Sequence, residues 1–158
     1  MASIHPSSKY KVFSEISDEK TNITDVLGRP IFDTNAELYC FLAALGLKKG
    51  KRVKTKERHS DWGQVRDQTF DSKGLMPRIY MIVLAESKDY SVLKDLDKCF
   101  DIFEEFVNSG FEELKKIAKK SDDEDEFREL VLQMVLEVAQ KNTVLEDPEE
   151  DDSPLDLN

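Results

Sequence analysis

The sequence is poor in the residues from which most metal and redox sites are built. It contains two cysteines and two histidines in 158 residues, and His5 and His59 lie far apart in polar surroundings. A zinc site needs clustered ligands at short, fixed spacings, and neither pair provides them. Because Cys40 and Cys99 fall within apolar helical patterns, we expect two buried thiols in a reducing compartment. The sequence predicts no metal and no cofactor.

Motifs of nucleotide and acyl-transfer chemistry are also missing. There is no Gly-rich phosphate loop, and no serine or cysteine nucleophile sits beside a candidate base. The acid-x-Lys triplets Glu113–Lys115 and Asp71–Lys73 have the form of metal-dependent nuclease signatures. Such triplets arise easily by chance in a chain with 35% charged residues, so a nuclease is the least favoured reading. We predict that the protein is not an enzyme.

Long hydrophobic runs are absent as well. The most apolar stretch, Ile79–Ala85, is far shorter than the roughly 20 residues that a membrane-spanning helix needs. The N-terminal residues MASIHPSSKYK contain no apolar core of a signal peptide. These observations predict a cytoplasmic protein.

Charge is abundant but unevenly distributed. The net charge is −10, yet residues 48–58 hold seven bases and one acid, a net charge of +6, so the rest of the chain carries −16. A run of bases can be a solvated loop, a phosphate contact or a docking surface for an acidic protein. Trp62 follows closely and offers a ring for base stacking. The candidate residues for nucleic-acid or partner binding are Lys48, Lys49, Lys51, Arg52, Lys54, Lys56, Arg58 and Trp62.

The apolar residues between the chain ends repeat with helical spacing. Thr34 and Glu37 form a capping-box pattern, and Leu38, Phe41, Leu42 and Leu45 then recur on one helix face. Gly46 is expected just past the end of this helix, in the left-handed conformation. The basic residues that follow are expected in a strand or a loop.

The second half of the chain predicts three further helices. Leu93–Val107 carries a phenylalanine-rich face typical of a core helix, and residues 108–110 (Asn-Ser-Gly) are expected to end it. A new helix is expected from Phe111, and a capping box at Ser121 and Glu124 opens the last amphipathic helix. Periodicity does not separate strand from helix for residues 9–16 or 79–85.

These patterns predict a mostly α protein. We expect a single compact domain of five or six helices over residues 10–145, with room for a minor β-element around Val53 and residues 64–70. Residues 1–9 are polar and expected to be disordered. Six of the seven residues from Glu146 to Asp152 are acidic, which predicts a disordered tail over residues 146–158.

Three stretches follow one another in an order that resembles a known family. They are FDTNAELYCFLAALGLKKGKR (Phe32 to Arg52), the apolar run ending in Leu84-Ala85-Glu86 with Asp89 soon after, and FEEFVNSGFE (Phe103 to Glu112). Over residues 28–118 they are similar to the small accessory proteins encoded beside bacterial DNA phosphorothioation (Dnd) genes. In this sequence Phe106 and Val107 stand where that family has Tyr and Ala.

The resemblance implies a bacterial cytoplasmic protein that works in DNA modification or anti-phage defence. The resemblance does not imply that the protein is an enzyme, and the family provides no catalytic residues that could be assigned to positions of this sequence. We therefore expect a non-catalytic accessory or adaptor subunit that acts through contacts with a larger protein, an ATPase or a nuclease, of the defence system. The alternative is a DNA-binding module that uses the basic stretch 48–58.

Overall fold

Helices account for most of the regular structure. The computed structural model of the chain describes residues 2–17, 23–24 and 27–146. Within these residues lie two short strands, five α-helices, and 3-10 segments at Ser8–Ser17 and Tyr90–Lys94. The elements are β1 (Ser3–Ile4), α1 (Asn35–Lys49), β2 (Val65–Arg66), α2 (Asp67–Ser72), α3 (Met76–Ser87), α4 (Leu96–Lys120) and α5 (Glu124–Glu146). The mostly α prediction is confirmed, and the small β-element falls within residues 64–70, while Val53 lies in no strand.

The centre of the fold is the crossing of α1 over α4. Leu38 and Leu42 of α1 are buried and Phe41 is half-buried, as the helical spacing predicts. From α4 the phenylalanines at 100, 103 and 106 are buried together with Phe111. The phenylalanine-rich face is therefore core, and it fixes how the surface residues of both helices are placed.

The sequence predicts that α1 ends at Gly46, and this prediction is wrong. The helix continues to Lys49 and closes at Gly50, whose φ of 69° is the left-handed conformation expected of a C-terminal glycine. Gly46 lies inside the crossing, where a Cβ atom would overlap the carbonyl oxygen of Phe106. The glycine is needed for the close approach of the two backbones, and local helix signals do not reveal that contact.

The expected break at residues 108–110 is also wrong, because α4 runs without interruption from Leu96 to Lys120. Asn108, Ser109 and Gly110 are all buried. A Cβ atom at Gly110 would overlap the backbone of Leu42, so this glycine matches Gly46 on the other side of the crossing. Tertiary packing overrides the local stop signal here.

The helix starts are near the predicted places, but their caps differ. Thr34 precedes α1 with its hydroxyl buried and unpaired, while the Glu37 carboxylate accepts a hydrogen bond from the Asp33 amide at 2.8 Å.

The second capping box, at the start of α5, is shifted by two residues. The Asp123 carboxylate accepts a hydrogen bond from the Glu126 amide (2.8 Å), and the Glu126 carboxylate accepts one from the Asp122 amide (2.6 Å). Ser121, predicted as the cap, instead donates its hydroxyl hydrogen to the Ile117 carbonyl at 2.8 Å.

The caps predict effects of different size for two alanine substitutions. Asp95 accepts a hydrogen bond from the Lys98 amide at the start of α4 (3.1 Å), so Asp95→Ala should lower the free energy of unfolding by about 1 kcal/mol. Thr34→Ala removes a hydroxyl without a partner and should cost less than about 0.5 kcal/mol. Urea unfolding of both variants checks this, and an equal loss at both positions would contradict the assignment of the caps.

The N-terminal residues are part of the fold, which corrects the prediction of disorder for residues 2–9. Ile4 is fully buried because β1 pairs antiparallel with β2, with Ile4 opposite Val65. The 3-10 segment that follows buries Tyr10, whose ring stacks on Phe111 at a centroid distance of 4.8 Å. The segment 9–16, left open between strand and helix, is therefore a 3-10 turn series, and residues 79–85 are helical within α3.

Both cysteines are buried, as predicted: Cys40 is 4% exposed and Cys99 is 0% exposed. Burial raises the pKa of the Cys40 thiol to about 11 and also raises the pKa of Cys99. Residues 147–158 lie outside the described residues, so the disordered tail and the C-terminal bound of the domain stay predictions. Among the helices described, none combines the length and apolar character of a membrane span.

Candidate partner-binding surface

The basic segment, residues 51–58, has no regular secondary structure and is hydrogen-bonded to α4. The Val53 amide donates to the carbonyl of Glu105 (3.1 Å). The side-chain amide of Asn108 donates to the Val53 carbonyl (3.0 Å) and to the Thr55 hydroxyl (2.8 Å). These bonds turn residues 53 and 55 toward the helix. The intervening lysines at 54 and 56 are exposed, an alternation that is typical of an extended chain.

A buried carboxylate holds the far end of this segment. Glu104 of α4 is 6% exposed and accepts hydrogen bonds from three donors. These are the His5 amide (2.7 Å), the Thr55 hydroxyl (2.6 Å) and the guanidinium of Arg58 (2.8 Å). Because a buried charge is costly without partners, Arg58 serves here as the counter-ion of Glu104.

Two more predicted binding residues are held in ion pairs. Arg52 donates through Nε to the Glu105 carboxylate at 2.7 Å, and its guanidinium lies 3.4 Å from the carboxylate of Glu86 on α3. Lys49 lies 3.8 Å from the carboxylate of Glu113. Three of the seven basic residues, Lys49, Arg52 and Arg58, therefore face carboxylates of the same chain.

The remaining lysines of the segment point into solvent. Lys51, Lys54 and Lys56 are exposed, and no carboxylate in the described part of the chain lies within ion-pair distance of their ammonium groups. We call these three residues the cationic ridge. Lys48, also predicted as a binding residue, is exposed in the last turn of α1 just before the ridge. The ridge is thus a set of positive charges on a backbone that α4 holds in place.

Trp62 is not part of the ridge. Its ring packs edge-on against Phe111 at a centroid distance of 6.3 Å, and its indole Nε1 is buried without a hydrogen-bond partner. The Trp62 carbonyl lies 3.0 Å from Nε2 of His5, which also lies 2.9 Å from the His59 carbonyl. The two histidines are thus neighbours, but the described residues contain no group of three side chains that could hold a metal ion.

A polar cleft of about 330 Å³ lies beside Arg58 and is lined by carboxylates of α4. Burial, followed by the negative charges of Glu104 and Asp97, raises the pKa of Asp101 in this cleft. An anionic group would be repelled there, so the ridge, and not the cleft, is the place for an anionic ligand.

The sequence did not predict the two residues that hold the basic segment in place, Glu104 and Asn108. Both lie on the buried face of α4, between Phe100 and Phe111. Polar residues on an apolar helix face need hydrogen-bond partners. The positions of these two residues on such a face were therefore the signal in the sequence that could have identified them. The nuclease-like triplet at Glu113 has another explanation, because the Glu113 carboxylate pairs with Lys49 and, at 2.9 Å, with Lys116.

Comparison with known proteins supports the resemblance seen in the sequence. The family described as DNA sulphur modification system-associated protein 4 matches residues 14–153, which is most of the chain. Neither the curated proteins nor the solved structures gave a match. Because the match spans the helical region from the 3-10 segment through α5, the chain belongs to this family of proteins associated with DNA sulphur modification systems.

Proposed function

We propose that the chain is a non-catalytic accessory subunit of a bacterial DNA sulphur modification system. In this proposal the cationic ridge docks against an acidic surface of a larger protein of that system, an ATPase or a nuclease. The protein then works in the cytoplasm, in DNA modification or anti-phage defence. The family supports association with such a system, and the proposal adds the mode of contact.

The observation that carries the proposal is the division of the basic residues into two groups. Three cations are already paired with carboxylates of α3 and α4, whereas the three ridge lysines are exposed and have no carboxylate within ion-pair distance among the described residues. Proteins whose DNA binding depends strongly on salt contact about 6–10 phosphates. A ridge of this size suits a local acidic patch on a protein better, particularly as residues outside 48–58 carry a charge of −16.

Co-purification from the native host tests the proposal. The tagged full-length chain should retain a larger protein encoded with the modification genes, identified by mass spectrometry, after nuclease treatment of the lysate. Salt should release it, because contacts between exposed charges are screened. Retention that disappears on nuclease treatment would show that DNA joins the two proteins, and would contradict direct docking.

DNA binding by the ridge is the second candidate. The observation in its favour is that Lys54 and Lys56 are both exposed and alternate with Val53 and Thr55, which are bonded to α4, a spacing that can follow a phosphate backbone. This candidate predicts that the isolated chain binds duplex DNA, with a log–log salt slope of about −0.9 for each phosphate neutralised. A chain that binds no DNA at low salt would exclude it.

A further inference from the structure

Two polar side chains on neighbouring turns of α4 each bind two separate parts of the chain. Asn108 accepts a hydrogen bond from the Ser7 amide (3.2 Å) and donates to Val53 and Thr55 of the basic segment. Glu104 accepts from the His5 amide and from the same Thr55 hydroxyl. Residues 2–8, here called the N-terminal arm, and the basic segment therefore share one pair of anchors.

The arm and the basic segment also bind each other directly. The Lys56 amide donates to the Ser7 hydroxyl at 3.1 Å, and the Ser8 amide donates to the Glu57 carbonyl at 2.6 Å. These hydrogen bonds hold in place the part of the basic segment that carries two of the three ridge lysines. If the arm leaves, the Lys56 amide and the Glu57 carbonyl lose their partners within the chain.

Burial makes this arrangement cooperative. Asn108 is 0% exposed, Ser7 is 2% exposed and Glu104 is 6% exposed. A buried polar group without a partner is costly, and bonds in a shared network strengthen one another. Displacing either the arm or the segment leaves both anchors with unpaired groups, so the two are expected to dock and detach together.

We infer that Glu104 and Asn108 are positioning residues that couple the N-terminal arm to the cationic ridge, so that an anionic partner binds with full affinity only while the arm is docked. This inference rests on the proposed function, because it concerns the same surface. Thermodynamic reciprocity then requires that a ligand on the ridge also holds the arm in place.

Thr55→Val tests the coupling without a change of charge. It removes the hydroxyl that both anchors share, whereas direct replacement of Glu104 or Asn108 would leave buried donors unpaired and risk unfolding. Amide hydrogen exchange at His5 and Ser8 should accelerate in the variant. Affinity for poly-L-glutamate at low ionic strength should fall by at least about two- to tenfold, the effect of one of the two hydrogen bonds that the variant loses. Thr69→Val, on α2 and outside the network, is the matched control and should change neither quantity.

The two readouts separate the possible failures. Unchanged exchange of the arm amides in the Thr55→Val variant would overturn the coupling, as would accelerated exchange with unchanged affinity. In the parent protein, poly-L-glutamate should slow exchange at His5 and Ser8, and a lack of protection in the bound state would also overturn it. If the parent chain binds neither poly-L-glutamate nor duplex DNA, docking through the ridge fails, and the exchange data alone decide whether arm and segment dock together.

Discussion

Gly110→Ala is expected to destabilise the protein by about 3 kcal/mol or more, the upper range for overpacking a core. In an isolated or exposed helix the same change stabilises, by about 1 kcal/mol, because alanine is the better helix former. The added Cβ would overlap the backbone of Leu42, and a backbone cannot rotate away as a flexible side chain can. Helix α1 would therefore have to move away from α4.

Urea unfolding of the parent and the variant gives the measurement. The sign of the change is diagnostic, because helix propensity and close helix packing predict opposite signs. Ala118→Gly is a suitable control, since Ala118 is exposed on the same helix and should lose only about 1 kcal/mol. A Gly110→Ala variant as stable as the parent would mean that α1 and α4 do not approach as closely as described.

Reversing the charge of the cationic ridge should abolish partner binding and leave the fold intact. In the triple variant Lys51→Glu, Lys54→Glu and Lys56→Glu, no ion pair among the described residues is broken, so the melting temperature should change little. Affinity for the partner should fall at least about a hundredfold, because truncation or reversal of charges at an interface commonly costs several kcal/mol. Titration of the purified partner at two salt concentrations measures this.

Two control variants make the test specific. Reversal of Lys73, Lys94 and Lys98, three exposed lysines of other elements, alters the net charge equally and should leave binding nearly unchanged. Arg58→Glu, unlike the ridge variant, should lower the melting temperature, because it leaves the buried Glu104 without its counter-ion. If the ridge variant and the control lysine variant lost binding equally, the loss would result from the change in net charge and not from the position of the ridge.

The parts of the fold that follow from local periodicity could be predicted from the sequence. The burial of Leu38 and Leu42 and the phenylalanine face of α4 are read from residues three and four apart, and the structure contains both. The continuation of α1 through Gly46 and of α4 through Gly110 could not be predicted in this way. Glycine reads locally as a stop, and only the partner helix shows that its role is close approach.

The candidate surface was located from the sequence, but its internal organisation was not. The run of bases at 48–58 is visible as a local charge imbalance. Which cations are paired depends on carboxylates about 50 residues away in sequence, such as Glu104 for Arg58. The arm was missed for a similar reason, because polar residues 1–9 look unstructured until Ile4 is placed opposite Val65.

Site-specific photo-crosslinking from the ridge tests the central claim most directly. A photo-reactive residue at position 54, in the otherwise unchanged chain expressed in the native host, should give a covalent product with the larger protein of the modification system. The same residue at position 94, an exposed lysine of the 3-10 segment Tyr90–Lys94, should give none. A product with DNA alone from position 54, or equal products with the larger protein from both positions, would contradict docking through the cationic ridge.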